Sequence, residues 1–187
     1  NHGLTLRNLA RNVGEIAIQD LLVEPLTEVI LPLLRLGASA RDPDAWNTSQ
    51  ERLHALAGIG PDDEFGQERL QREIGDLARQ LRQTMGDDDP SAAVADRVFT
   101  QALDAVGEER LRQAYPEYRR DADFHRVHDG FRLLLHQCVA DAADWTEILD
   151  RFEGKGQVPL MTIHKSKGLE FHTIIFFGLD ASTLSLG

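Results

Sequence analysis

Between Val158 and Phe171 the chain reads Val158-Pro159-Leu160-Met161-Thr162-Ile163-His164-Lys165-Ser166-Lys167-Gly168-Leu169-Glu170-Phe171, and here its periodicity changes from helix to strand. Val158 to Ile163 is a short apolar run. Beyond it, Thr173-Ile174-Ile175-Phe176-Phe177 is β-branched and aromatic throughout, the pattern of a strand buried on both faces. His164 to His172 joins the two, a short link for a parallel crossover but long enough for one or two helical turns. Two buried strands do not make a stable sheet by themselves. Either strands outside this sequence complete the sheet, or the pair packs on helices. The connection carries two hydroxyls, one imidazole, two ammonium groups, a glycine and a carboxylate at the C-terminal end of the first strand. In open α/β sheets that end is where ligands bind, because the loops there present free backbone N–H groups.

Upstream, helical spacing dominates the first 150 residues. Ile16, Ile18, Leu21, Leu22, Leu26, Val29, Ile30, Leu33 and Leu34 recur at intervals of three and four, with Pro25 and Pro32 starting or kinking helices and Gly37 a C-terminal stop. Asp42 caps a helix that carries Trp46, Leu53 and Leu56 and ends at Gly58-Ile59-Gly60-Pro61. Further amphipathic runs cover Phe65 to Met85, Ser91 to Val106, Glu108 to Ala114 and Phe124 to Ala140. Loops at Gly86-Asp87-Asp88-Asp89-Pro90 and Tyr115-Pro116 separate them. Asp144 reads as the N-cap of a helix over Trp145 to Phe152, with Glu147 completing a capping box. No internal repeat is visible. The expected class is therefore mainly α with a small α/β part, the two buried, parallel strands lying near the C-terminus.

Charge divides the chain at the same place. Residues 1–150 hold 16 Arg against 28 Asp and Glu, whereas 151–187 hold Arg151 and all three lysines against three acids, so a chain of net charge −11 has a slightly basic end. The acidic balance excludes a protein that coats nucleic acid by bulk electrostatics, though not a local contact strip. With 187 residues and 42% hydrophobic content the chain can bury a core as one large domain or two small ones. The longest apolar stretch, Leu21 to Leu36, is too broken by Glu24, Pro25, Glu28, Pro32 and Arg35 to cross a bilayer. A single cysteine, Cys138, excludes an internal disulfide and is compatible with a reducing cytoplasm. Both ends read as cut, since Asn1-His2-Gly3 carries no initiator Met and the sequence stops just past the second apolar run.

The order strand, Thr-x-His, Lys-Gly-x-Glu, second strand, followed by Gly178-Leu179-Asp180, resembles motif V of superfamily 1 DNA helicases of the UvrD/Rep type. The His-Lys-Ser-Lys-Gly variant also resembles the helicase subunits of recombination nucleases. A second likeness lies near the start. Leu31-Pro32-Leu33-Leu34-Arg35-Leu36 and Asp42-Pro43-Asp44-Ala45-Trp46 are similar to the helix and turn by which such helicases leave their second RecA-like domain (2A) for an inserted helical domain (2B). The resemblance implies three parts: 1–57 as helical 2A, 58–150 as the 2B-like insertion, and 151–187 as the return to a partial RecA-like, P-loop NTPase-type domain with motif V.

It implies an ATP-dependent DNA helicase or translocase acting in DNA repair or recombination, with ATP and Mg as ligands and single-stranded and partly duplex DNA as substrate. A nuclease subunit is a candidate protein partner. A bacterial, nucleoid-associated cytoplasmic location and no membrane contact go with that family. Gly168 and Glu170 are the implied nucleotide contacts, and Thr162, His164 and Lys165 the implied contacts to single-stranded DNA. Gly58, Ile59 and Gly60 match a turn that touches duplex DNA in the family, although Ala57 stands where a basic residue often precedes it; the plainer reading is a turn that ends a helix. A reading from another class is a non-catalytic helical interaction module with a degenerate ATP motif.

A nucleotide motor needs a glycine loop with Lys and Ser/Thr to cradle phosphates, and a carboxylate pair for magnesium. Around Gly154-Lys155, Leu149 occupies the place of the first loop glycine and Gly156 that of the hydroxyl. Asp63-Glu64 follows a turn, not a buried strand. No catalytic residue is therefore expected in this sequence, and the fragment alone is expected not to hydrolyse ATP. Two further constellations have plain readings. His125, His128, Asp129, His136 and Cys138 share helical spacing but close no convincing metal tetrahedron, so no metal site is expected. Tyr115, Tyr118, Arg119, Arg120, His125 and Arg126 interleave aromatic and basic groups as a nucleic-acid strip does, diluted by Glu117, Asp121 and Asp123.

Overall fold

The computed structural model describes residues 5–140, 142–161, 166 and 172–175. Three short strands open the chain, β1 Leu6–Asn8, β2 Asn12–Val13 and β3 Ile16–Ala17. Eight α-helices follow among the described residues: α1 Ile18–Leu22, α2 Pro25–Ala38, α3 Pro43–Ala57, α4 Glu64–Asp87, α5 Ala92–Val106, α6 Glu108–Ala114, α7 Asp121–Val139 and α8 Trp145–Glu153. A 3-10 turn, Pro116–Arg119, links α6 to α7, and strand β4, Val158–Leu160, comes after α8. Strands β2 and β3 form an antiparallel hairpin, while β1 and β4 pair in parallel with Leu6 opposite Val158, Arg7 opposite Pro159 and Asn8 opposite Leu160. Parallel strands need a crossover; here the whole helical body is that connection.

Helix boundaries follow local chemistry. Asp42, Asp63, Ser91 and Asp144 each accept a bond from the backbone N–H three residues on, at 2.9, 2.9, 3.3 and 2.8 Å, and Pro25 and Pro43 sit where a missing N–H costs nothing. The capping box at α8 is shifted by one residue. Glu147 receives the N–H of Ala143 at 2.7 Å instead of that of Asp144.

One buried cluster runs from Val13 to Phe152 and draws on every α-helix. Helix α2 is its axis. Leu26, Ile30 and Leu34 are fully buried, and α4, α3, α5 and α8 all pack against α2. Leu70, Ile74, Leu77, Leu81 and Met85 form the buried stripe of α4. Phe131 of α7 lies between Phe99 and Phe152, with ring centroids 4.9 and 4.6 Å away.

Three expectations need correction. Gly37 does not end its helix: α2 continues to Ala38, and a Cβ on Gly37 would stand 2.7 Å from Cβ of Leu81. The glycine lets α4 cross closely, and Arg82 from α4 supplies the cap, donating to the carbonyls of Leu36 (2.7 Å) and Ser39 (3.1 Å). The strand near the C-terminus pairs with β1, and among the described residues of the second apolar run, 173–175 form no strand. Nor is it buried: Val158 and Leu160 keep 39% and 36% of their exposure, and Ile174 and Ile175 are exposed as well. A pair of three-residue strands has too little surface to bury its own apolar side chains.

Candidate functional site

Strand β4 aims the chain at the proposed motif, with Thr162 two residues past Leu160. Backbone bonds hold the strand at both ends: Val158 N–H donates to the Thr5 carbonyl at 2.8 Å, and Leu9 N–H to the Leu160 carbonyl at 2.9 Å. Alternation along β1 turns Leu6 and Asn8 outward and Arg7 inward, where it is 8% exposed. The Arg7 guanidinium is a fork between sheet and helix, donating from Nη1 to the Arg151 carbonyl (2.5 Å) and from Nη2 to the Phe152 carbonyl (2.6 Å). These carbonyls belong to the last turn of α8, where that of Arg151 also accepts the Gly154 N–H at 3.2 Å. Burial pushes the Arg7 pKa down, the nearby Cys138 thiol opposes that fall and Arg11 adds to it.

Gly154 ends α8 at φ +78°. A Cβ there would approach Nη1 of Arg7 to 2.6 Å, so both the left-handed backbone and the packing require glycine. On the other side of α8, Arg35 of α2 binds Asp150 at 2.7 Å and also Glu153, and Lys155 binds Glu153 at 2.9 Å. Helix α8 is thus tied to α2 through Arg35 and to β1 through Arg7.

Thr162, His164, Lys165, Gly168 and Glu170 lie outside the described residues, so their geometry is not described. Gly58, Ile59 and Gly60 are described. Gly58 adopts φ +63°, its N–H bonds to the Ala55 carbonyl (3.3 Å), and the Ile59 N–H bonds to the His54 carbonyl (3.1 Å). This is a Schellman stop for α3. Ile59 joins Leu53, Leu56, Leu70 and Ile74 in lining a groove of about 310 Å³, with Arg69 and Arg110 also on its wall.

Tyr118 drops out of the interleaved aromatic and basic strip, of which Arg119, Arg120 and His125 stay exposed. Tyr118 is 1% exposed; its hydroxyl accepts from the Leu26 N–H (3.1 Å) and donates to Glu24 (3.0 Å), pinning the first turn of α2. Desolvation raises the Tyr118 pKa, with the neighbouring Glu24 reinforcing the shift. Arg126 pairs with the same Glu24 at 3.2 Å. Tyrosine spacing that reads as a surface strip is core packing here because Tyr118 stands edge-on to the buried Phe124 at 5.7 Å.

Of the histidines, His125 and His128 are neighbours, with ring centroids 6.4 Å apart. His136 Nε2 lies 2.8 Å from Asp96, which also accepts from Arg132 at 2.8 Å; His128 contacts Phe99 and Asp129. Burial raises the Cys138 thiol to about 11 despite Arg7 nearby, which leaves it a packing group without nucleophilic or ligating character at neutral pH. Among the described residues no group of three or more His, Cys, Asp or Glu has the geometry to hold a metal ion, and no helix is long and apolar enough to cross a membrane. Arg7 is the residue that sequence reasoning missed. A lone arginine in a three-residue strand carries no pattern, and its partners are carbonyls far away in sequence.

A family model described as the UvrD-like helicase C-terminal domain matches residues 65–184. No curated protein and no solved structure matches the chain.

Proposed function

The chain belongs to the UvrD-like helicase C-terminal domain family, and from that premise we propose that it is part of an ATP-dependent DNA helicase that couples nucleotide binding to movement along single-stranded DNA. The observation that carries the reading is the position of the motif. Inside the family-matched residues, the sequence Thr162 to Glu170 follows directly from β4, whose parallel partner β1 runs the same way. Loops beyond the C-terminal ends of parallel strands are where α/β folds receive ligands.

In this proposal Gly168 and Glu170 face nucleotide, with Glu170 accepting a hydrogen bond from the ribose, while Thr162, His164 and Lys165 face the phosphates of single-stranded DNA. A hydroxyl, an imidazole and an ammonium can all donate to phosphate oxygens without a bulk positive surface. One short connection then senses both ligands, so that closure around ATP shifts the grip on DNA. Residues 1–57, 58–150 and 151–187 take the parts of 2A, 2B-like insertion and return to the RecA-like domain, and Gly58 to Gly60 are candidate duplex contacts. ATP is the substrate, and its magnesium would be held by carboxylates outside this sequence. A role in repair or recombination, a nuclease partner and a nucleoid-associated location follow the same reading.

The test uses the intact protein that carries this chain. Thr162→Ala with His164→Ala should lower strand affinity and DNA-stimulated ATP hydrolysis while leaving ATP binding without DNA nearly intact; the reverse pattern assigns the two ligands to the opposite residues. Glu170→Ala should weaken ATP use by about one charged hydrogen bond, ~1.5–3 kcal/mol. The isolated 187-residue chain should hydrolyse no ATP above buffer with DNA present.

A second reading, a non-catalytic module that binds a protein partner, would draw on the apolar groove beside Ile59. It requires that the intact protein bind its partner equally with and without ATP and show no DNA-stimulated turnover.

A further inference from the structure

We propose that Arg7 is a positioning residue for the DNA- and nucleotide-facing turn, holding β4 in the register from which Thr162 departs; this rests on the helicase reading above. The backbone closes a ring at this place. From the end of α8 the chain passes through Gly154 to Gln157 into β4, β4 pairs with β1, and Arg7 of β1 returns to the end of α8 through the carbonyls of Arg151 and Phe152. Each link is short and directional. A planar guanidinium meeting two carbonyls fixes orientation as well as distance, which a lysine ammonium cannot do.

Beyond its ladder with β1, the strand gains little from apolar packing among the described residues. Val158 and Leu160 are more than a third exposed, so burial contributes weakly, and Pro159, which stands opposite Arg7, has no N–H to give to the ladder. Gly154 shows that the fork is packed to its limit, since any Cβ there would meet Nη1. Because Arg35 fixes α8 to α2 through Asp150 and Glu153, a displacement of α8 against the helical body reaches β4 through Arg7. The next residues after β4 are Met161 and Thr162. Arg7 touches neither ligand in this account; it sets where the contacting residues begin.

Two variants test it in the intact protein, each compared with a control of similar stability loss. Arg7→Ala should raise the DNA concentration for half-maximal stimulation of ATP hydrolysis by roughly tenfold to a hundredfold, the scale of a misplacement of about 1 Å, with a much smaller change in the KM for ATP. Arg7→Lys should recover part of the loss, because it restores charge without the fork. Val98→Ala, in the core of α5 and remote from β4, should lower the melting temperature without moving DNA half-saturation.

Amide hydrogen exchange supplies a readout that does not depend on the helicase reading: in Arg7→Ala, residues 158–161 should exchange faster while α5 and α7 keep their protection. Unchanged exchange at β4 overturns the proposal, as does faster exchange with unchanged DNA half-saturation, or a Val98→Ala control that weakens DNA as much as Arg7→Ala. A wild-type protein with no DNA-stimulated turnover overturns the helicase reading and this role with it, while the exchange result still shows whether Arg7 holds the strand.

Discussion

Between α5 and α7, Phe99 and Phe131 stack with centroids 4.9 Å apart and neither ring reaches solvent, whereas at β4 Val158 and Leu160 leave over a third of their surface in water. The helical body is held by apolar area, which is non-directional and accumulates over many side chains. The strand pair is held by directional contacts: its parallel ladder, the backbone bonds at its two ends and one arginine fork. An element with little buried apolar area is drawn from the low-stability end of a fold, where switching and ligand-binding segments belong. The rigid frame and the part that leads to the proposed ligand-contacting residues are separable, and Arg7 and Arg35, through α8, join them.

The comparison breaks most easily at the frame. Phe131→Ala removes a ring that fills the space between Phe99 and Phe152 and should cost ~3–5 kcal/mol in chemical denaturation; a loss below about 1 kcal/mol would mean that the body is not packed as described. Gly37→Ala comes next. The added methyl meets Leu81 and Met85 and should cost ~1–3 kcal/mol through overpacking, with α2 and α4 losing hydrogen-exchange protection together. A neutral result would put the close crossing of those helices in doubt.

Acid sharpens the picture at the link between α5 and α7. The hydrogen bond from Arg132 holds Asp96 below the ordinary carboxylate range; burial opposes this and His136 assists. A carboxylate with a depressed folded pKa contributes stability that is present above its unfolded value, about 3.9, and is lost as pH falls through its lower folded value. The Asp96 side chain is 35% exposed, so the contribution should stay under ~1 kcal/mol. Asp96→Asn should flatten that part of the stability curve below pH ~4, and a curve identical to the wild type would show that the Arg132 bond contributes nothing in solution. The smallest effect belongs to the strand. Val158→Thr should change global stability by less than ~0.5 kcal/mol, because more than a third of the residue is already in water; a core-sized loss would mean that β4 is covered in solution.

Legibility in the sequence followed locality. Asp42, Ser91 and Asp144 announce their helices because a cap bonds three residues ahead, within reach of any sequence window. The amphipathic stripes of α4 and α5 are equally local. Gly37 is ambiguous because a glycine that ends a helix and one that admits a neighbouring helix look the same in one dimension; only Leu81, on another element, tells them apart. Tyr118 looks like a surface residue in one dimension for the same reason, since its partners Glu24 and Leu26 belong to the start of α2. The likeness of Thr162 to Glu170 to a helicase motif, supported at family level by the match over residues 65–184, was readable because chemistry at a turn is concentrated in consecutive residues.

By itself, then, the sequence determined where most helices begin, which faces they bury and to which family the chain belongs, all properties fixed by neighbours within about four positions or by a contiguous motif. Tertiary structure alone decided that the strand after α8 pairs with residues 6–8 and that Arg7 turns inward onto α8. Pairing and closure of this kind depend on which distant segments the packed helices bring together. Until the body has folded, the Arg7 fork has no carbonyls to meet and β4 has no partner strand.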